Sequence, residues 1–191
     1  MDAPRTIEEL VAAFDEAPAA VRAFLPDLPR LVTDDALQHG LSAAVAHAFH
    51  RLEVAHRRAL YAGLVRIHGI PAVLARQTTQ REHLSREHFH DLLREVMGAP
   101  LPAAAREHYD VAAGVRDDLL HGKDVSEASL RKALLALMRY AVALDRFCVE
   151  GDGGASPFAA GVESVEPAPG KALANDTARF VLRGMGFAAM S

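Results

Sequence analysis

The chain is predicted to be all-α, an up-and-down helical bundle of four to five main helices with short helices flanking it. Three observations carry this. Aromatic residues make up only 6% of the 191, and Ala and Leu outnumber the β-branched residues, a balance that favours helix over strand. No pair of alternating apolar runs joined by a tight-turn dipeptide is present to nominate a hairpin. Several segments repeat apolar residues at the helical period instead. The clearest is Leu130, Leu134, Leu137, Met138, Ala141 and Leu144, at offsets 0, 4, 7, 8, 11 and 14.

The elements follow in order. Thr6 with Glu9 three residues later has the spacing of a capping box, so a short helix is expected from Thr6 to Phe14. Pro18, Pro26 and Pro29 then punctuate the chain and leave room for one more short helix, Ala19 to Leu25. From Asp34 to Ile70 no proline intervenes, and Leu41, Val45, Ala48, Leu52, Ala55, Ala59 and Leu64 mark one side of a long first core helix. Gly69-Ile70-Pro71 ends or bends it, and Arg76 to Arg81 reads as a polar stretch. A helix is expected from His83 to Val96 with Phe89, Leu92, Leu93 and Val96 inward and Gly98 as its stop. Another runs from Ala103 to about Leu120 and stops near Gly122, and Ser126 caps the last core helix. Gly151 to Gly170 is irregular, rich in Gly and Pro, and precedes a short helix from Leu173 to Arg183.

The organisation expected is one domain with three parts. Residues 1–33 supply short helices packed on the core, 34–150 the bundle, and 151–191 the Gly/Pro-rich segment and a docking helix. Twenty-one Lys and Arg against 25 Asp and Glu give a formal charge of −4, which excludes a generally basic nucleic-acid glove. Any RNA contact must be local. A single cysteine, Cys148, excludes an internal disulfide and a thiolate metal site. The acidic start lacks the basic and apolar regions of a secretory signal, and no stretch approaches the roughly 18 apolar residues of a membrane helix. A soluble, cytoplasmic protein with no membrane association is the expectation.

Chemistry concentrates at Val115-Arg116-Asp117-Asp118-Leu119-Leu120-His121-Gly122-Lys123, between two helices. A guanidinium offers planar, permanently charged donors that match two phosphate oxygens. An imidazole gives and takes a proton near neutrality. Together they suit phosphodiester cleavage without a metal. On an ideal α-helix, however, five positions place Arg116 and His121 about 140° apart along a rise of about 7.5 Å. The pair therefore converges only if the last turn loosens before Gly122, or if dimerisation brings a second copy alongside.

Arg116, Asp117 and His121, with Gly122 directly after, resemble the R-[polar]-x3-H form of the Rx4-6H signature of HEPN-superfamily ribonucleases. The resemblance covers Asp34 to Glu150. It implies a small all-α domain that homodimerises and places two motifs in one cleft, without a cofactor. It further implies a metal-independent endoribonuclease, a toxin or defence effector. The 2′-hydroxyl of RNA would attack its own phosphorus, leaving a cyclic phosphate and a 5′-hydroxyl. Arg116 would bind the phosphate, His121 would act as acid/base, and Asp117 would be their polar companion. Lys123, and Arg131 and Lys132 at the start of the next helix, would supply local RNA-binding charge. Some members have lost activity and bind partners, so a silent HEPN-like module remains open, one paired for example with a nucleotidyltransferase. An antitoxin is a further partner the resemblance allows.

Plainer readings stand beside these. Arg116 can pair with Glu107 or Asp110 on its own helix, and His121 can complement a helix C-terminus. Among ten histidines, His47 and His50 with His83 or His88 could share an ion. Glu53 with His56, and Glu87 with His90, repeat a Glu-x-x-His spacing. Arg51, Arg57 and Arg86 nearby oppose a cation, so no metal is expected. Arg51, Arg57, Arg58 and Arg66 read as an RNA track or as a solvated helix face, and Cys148 as a core residue.

Overall fold

The computed structural model describes Pro4 and residues 6–34, 40–151 and 154–187, and the regular structure among these residues is all helical, with no strand. The helices are α1 (Ile7–Asp15), α2 (Ala19–Phe24), α3 (Leu28–Thr33), α4 (Gly40–Arg66), α5 (Ala72–Arg81), α6 (Arg86–Met97), α7 (Ala103–Leu120), α8 (Glu127–Glu150) and α9 (Asn175–Gly184). Among the described residues one 3₁₀ turn is present, at Val162–Ser164. The all-α class expected from composition is the one observed. No described helix is long and apolar enough to cross a membrane.

Most boundaries obey local chemistry. The Thr6 hydroxyl accepts the Glu9 N–H at 3.3 Å and starts α1. Ser85 caps α6 in the same way through the His88 N–H at 3.3 Å, and Gly98, left-handed at φ 70°, ends it. Ser126 accepts the Ser129 N–H at 3.2 Å ahead of α8. The expected start of the long first helix at Asp34 runs into residues 35–39, outside the described residues.

Two helices were not expected. α3 forms across Pro29, which sits in its first turn, where a missing N–H costs nothing because no intrahelical acceptor is available there. α5 occupies the stretch read as polar: Pro71 is its N-cap residue, and Leu74, Ala75, Thr78 and Thr79 form its buried side. Thr79 Oγ1 donates to the Ala75 carbonyl at 3.0 Å, so its hydroxyl is satisfied inside the helix.

The chain divides into two compact units, 1–53 with 102–144, and 54–101 with 145–191. The dividing points fall inside α4, between α6 and α7, and inside α8. In the first unit α1 packs on α3. Phe49, Tyr109 and Tyr140 form an aromatic chain, with centroids 5.6 Å apart for the first pair and 4.9 Å for the second. Arg51 Nε donates to the Phe24 carbonyl at 2.9 Å while its guanidinium lies 4.0 Å over the Phe24 ring, fastening α2 to α4. Leu130, Leu134, Leu137, Met138, Ala141 and Leu144 on α8 are all buried.

The second unit is built on Leu60, Leu64, Ile70, Phe89, Leu92 and Leu93, each buried. Full burial of such a side chain is worth about 1.5–3 kcal/mol. The irregular segment contributes Phe158 and Val162 to the interior, and α9 contributes Ala178 and Leu182. Gly69 ends the α4 region at φ +65° with its carbonyl accepting the Leu173 N–H at 2.9 Å. A side chain there would run into the Lys171 carbonyl, so both conformation and space require glycine.

Candidate functional site at the end of helix α7

The α7 terminus is a regular helix end. The His121 N–H still donates to the Asp117 carbonyl at 3.0 Å, Gly122 N–H to Leu119 at 3.0 Å and Lys123 N–H to Asp118 at 3.0 Å. With Gly122 left-handed at φ 70°, this is a Schellman closure. Helical bonding thus persists through His121, and the loosened last turn that would bring His121 onto the Arg116 side is not present. Arg116 and His121 keep the separation of about 140° of an ordinary helix.

Arg116 and Asp117 do come together. Nε and Nη2 of Arg116 donate to Asp117 Oδ1 at 3.3 and 3.1 Å. The guanidinium lies 4.7 Å from the Phe49 ring centroid, and its Nη1 is 3.9 Å from Glu53 Oε1. The expected partners Glu107 and Asp110 are replaced by Asp117 and by Glu53 of α4. Phe49 and Glu53 are four apart on α4 and share a face, a spacing legible in the sequence only once α4 is known to lie against α7.

His121 is exposed, as is the preceding Leu120, whose side chain has no cover at 74% exposure. Lys123 Nζ donates to Asp118 Oδ1 at 2.6 Å, and that bond pushes the lysine pKa up. Arg131 is mostly buried and donates from Nε to the Pro4 carbonyl at 3.2 Å and from Nη1 to Glu127 Oε2 at 3.2 Å. Lys132 is half-buried. Of the three cations expected to contact RNA, two therefore already hold a carboxylate.

The histidines are dispersed among different tasks. His56 is buried and stacked on Phe89 with centroids 3.8 Å apart. Burial, reinforced by His90 and Arg57, pushes its pKa down to about 3. His88 Nε2 lies 2.9 Å from Glu82 Oε1, and His68 Nε2 donates to the Val96 carbonyl at 2.7 Å. Among the described residues no three His, Cys, Asp or Glu side chains gather as an ion site. The Cys148 thiol is buried and pushed up to about 12 by burial and the Asp145 carboxylate, so it stays protonated and packs as a small apolar group.

Three arginines of α4 donate to backbone carbonyls. Arg51 holds Phe24, as described above, and Arg57 Nη1 donates to the carbonyls of Thr79 and Glu82 at 3.1 and 3.2 Å. Arg66 Nη1 donates to Gly154 at 3.3 Å. Arg58 lies 3.5 Å from Glu163, whose carbonyl also accepts from Tyr61 and Arg76. This last grouping was not legible in the sequence, because Glu163 belongs to the irregular segment about a hundred positions away. Comparison of the chain with protein-family models, with curated proteins and with solved structures gives no match.

Proposed function

We propose that this protein is a homodimeric, metal-independent endoribonuclease of HEPN type, acting as a toxin or defence effector. The observation that supports this most directly is the Arg116–Asp117 clamp on the same helix end as an exposed His121. Asp117 holds the guanidinium through its Nε and Nη2 edge and Phe49 supports its face, so the side chain is oriented before substrate arrives. Because helical bonding runs through His121, a shared site requires a second chain.

In this reading the 2′-hydroxyl attacks the adjacent phosphorus, the bond to the 5′ oxygen breaks, and the products are a cyclic phosphate and a 5′-hydroxyl. His121 of one chain takes the 2′ proton or protonates the leaving oxygen. Arg116 of the other stabilises charge on the phosphoryl oxygens.

A second reading, a catalytically silent module that binds a partner protein such as a nucleotidyltransferase or an antitoxin, is favoured by one specific observation. Arg116, Lys123 and Arg131 each have a carboxylate within ion-pair distance, which lowers the local positive potential that RNA would need. Labelled RNA incubated in EDTA with wild type, Arg116→Ala and His121→Ala separates the readings. Cleavage by wild type alone, abolished by a 2′-deoxy nucleotide at the cut position, supports the enzyme. Absence of cleavage by wild type supports the module, and equal cutting of the deoxy strand overturns the mechanism.

A further inference from the structure

The chain as a whole is acidic, with a formal charge of −4, yet one cavity of about 160 Å³ in the second unit is lined by Arg57, Arg58 and Arg76 against the single carboxylate of Glu163. Gathering three guanidiniums around one small space is unfavourable in itself, since like charges repel. Arg57 explains its own place: its Nη1 donates to the carbonyls of Thr79 and Glu82 at the end of α5. It adds positive potential to the cavity while serving the fold.

Arg58 and Arg76 differ. Both of them meet Glu163, at two different oxygens. Arg58 Nη2 is 3.5 Å from the Glu163 carboxylate. Arg76 Nη2 donates to the Glu163 carbonyl at 3.4 Å, and the Tyr61 hydroxyl donates to the same oxygen at 3.0 Å. One residue of the irregular segment thus presents two oxygens to three donors, its carboxylate to Arg58 and its carbonyl to Arg76 and Tyr61. The Glu163 side chain is 56% exposed, so its carboxylate can leave for water while its carbonyl remains bonded.

We propose that this cavity binds a phosphate-class oxyanion, a phosphoryl group carried by a small molecule, and that the Glu163 carboxylate occupies the position such a group takes. Three guanidiniums and one carboxylate among the lining residues suit a dianion better than a carboxylate. The volume is below the roughly 300–1,000 Å³ of pockets for drug-sized ligands, which suits a small ligand. The proposal is independent of the ribonuclease reading, since all the residues named lie away from the motif in the chain.

The test uses the full chain and inorganic phosphate as the probe, by titration calorimetry and thermal shift, with sodium chloride holding ionic strength constant. Phosphate is expected to bind saturably and raise the melting temperature. Arg76→Gln, at an exposed position, is expected to weaken binding about tenfold. Glu163→Gln, which removes the competing charge but keeps the carbonyl contacts, is expected to tighten it severalfold. Arg58→Gln repeats the Arg76 result, and circular dichroism checks that it folds. No saturable response to phosphate overturns the site, as does weaker binding by Glu163→Gln. Binding of a short RNA that is lost in Arg76→Gln, without any response to phosphate, overturns the small-molecule assignment.

Discussion

His56 is uncharged in the folded protein at neutral pH, because burial against Phe89 and the nearby positive charge of Arg57 hold its pKa at about 3. In the unfolded chain it titrates near the ordinary value of about 6.5. The unfolded state therefore binds the extra proton between these limits, and the associated stability, complete above the upper limit, is lost as pH falls toward the lower one. We expect the unfolding free energy to fall by up to about 1.4 kcal/mol per pH unit from this group alone. Urea titrations at pH 7.5 and pH 5 should show a flatter dependence for His56→Leu than for wild type. Equal slopes would mean that His56 is accessible to protons. Arg116 shows what the sequence reveals at this scale: its adjacency to Asp117 was visible, and the bond between them followed. Phe49 and Glu53 were not visible as neighbours, because their proximity depends on helix packing rather than on spacing.

Helix ends separate glycines that look alike in the sequence. Gly122 and Gly69 both adopt positive φ, at 70° and 65°. Nothing lies within 4 Å of a Cβ placed on Gly122, whereas one on Gly69 meets the Lys171 carbonyl. Gly122→Ala should therefore cost about 1 kcal/mol of backbone strain. Gly69→Ala should cost clearly more, since backbone must also move. Denaturant midpoints for the two variants check the difference, and equal losses would show that the Lys171 segment yields freely. Helix α5 was missed because its stabilisation is partly imported: Arg57 donates to the carbonyls of Thr79 and Glu82 at its C-terminal end. Arg57→Ala should destabilise the protein by roughly 2–3 kcal/mol, as expected for loss of charged hydrogen bonds to backbone, and raise amide exchange along residues 78–82. By contrast α1 and α8 carry their own caps at Thr6 and Ser126, and α6 its apolar spacing and the Gly98 stop, so they were legible.

For the whole molecule, the catalytic reading depends on the number of chains at the site. If Arg116 and His121 act from different protomers, mixing Arg116→Ala with His121→Ala restores one intact site in each mixed dimer. Random exchange of subunits should then return about a quarter of wild-type cleavage. No recovery, with mixed dimers verified by mass, would place both groups in one chain or neither in the reaction. The charge distribution acts at the same scale. The acidic total coexists with a local concentration of arginine around Glu163, so salt should weaken anion binding there while leaving the fold intact.

The sequence alone determined the helical class, the buried stripe of α8, the ends of most long helices and the location of the Arg116 to His121 motif. These depend on period, propensity and caps, all of which act within a few residues. Tertiary structure decided that α3 and α5 form, that Arg116 lies against Phe49 and Glu53, and that Arg58 and Arg76 share Glu163. Each of these rests on groups far apart in the chain, and burial and charge pairing between such groups leave no periodic trace in the order of residues.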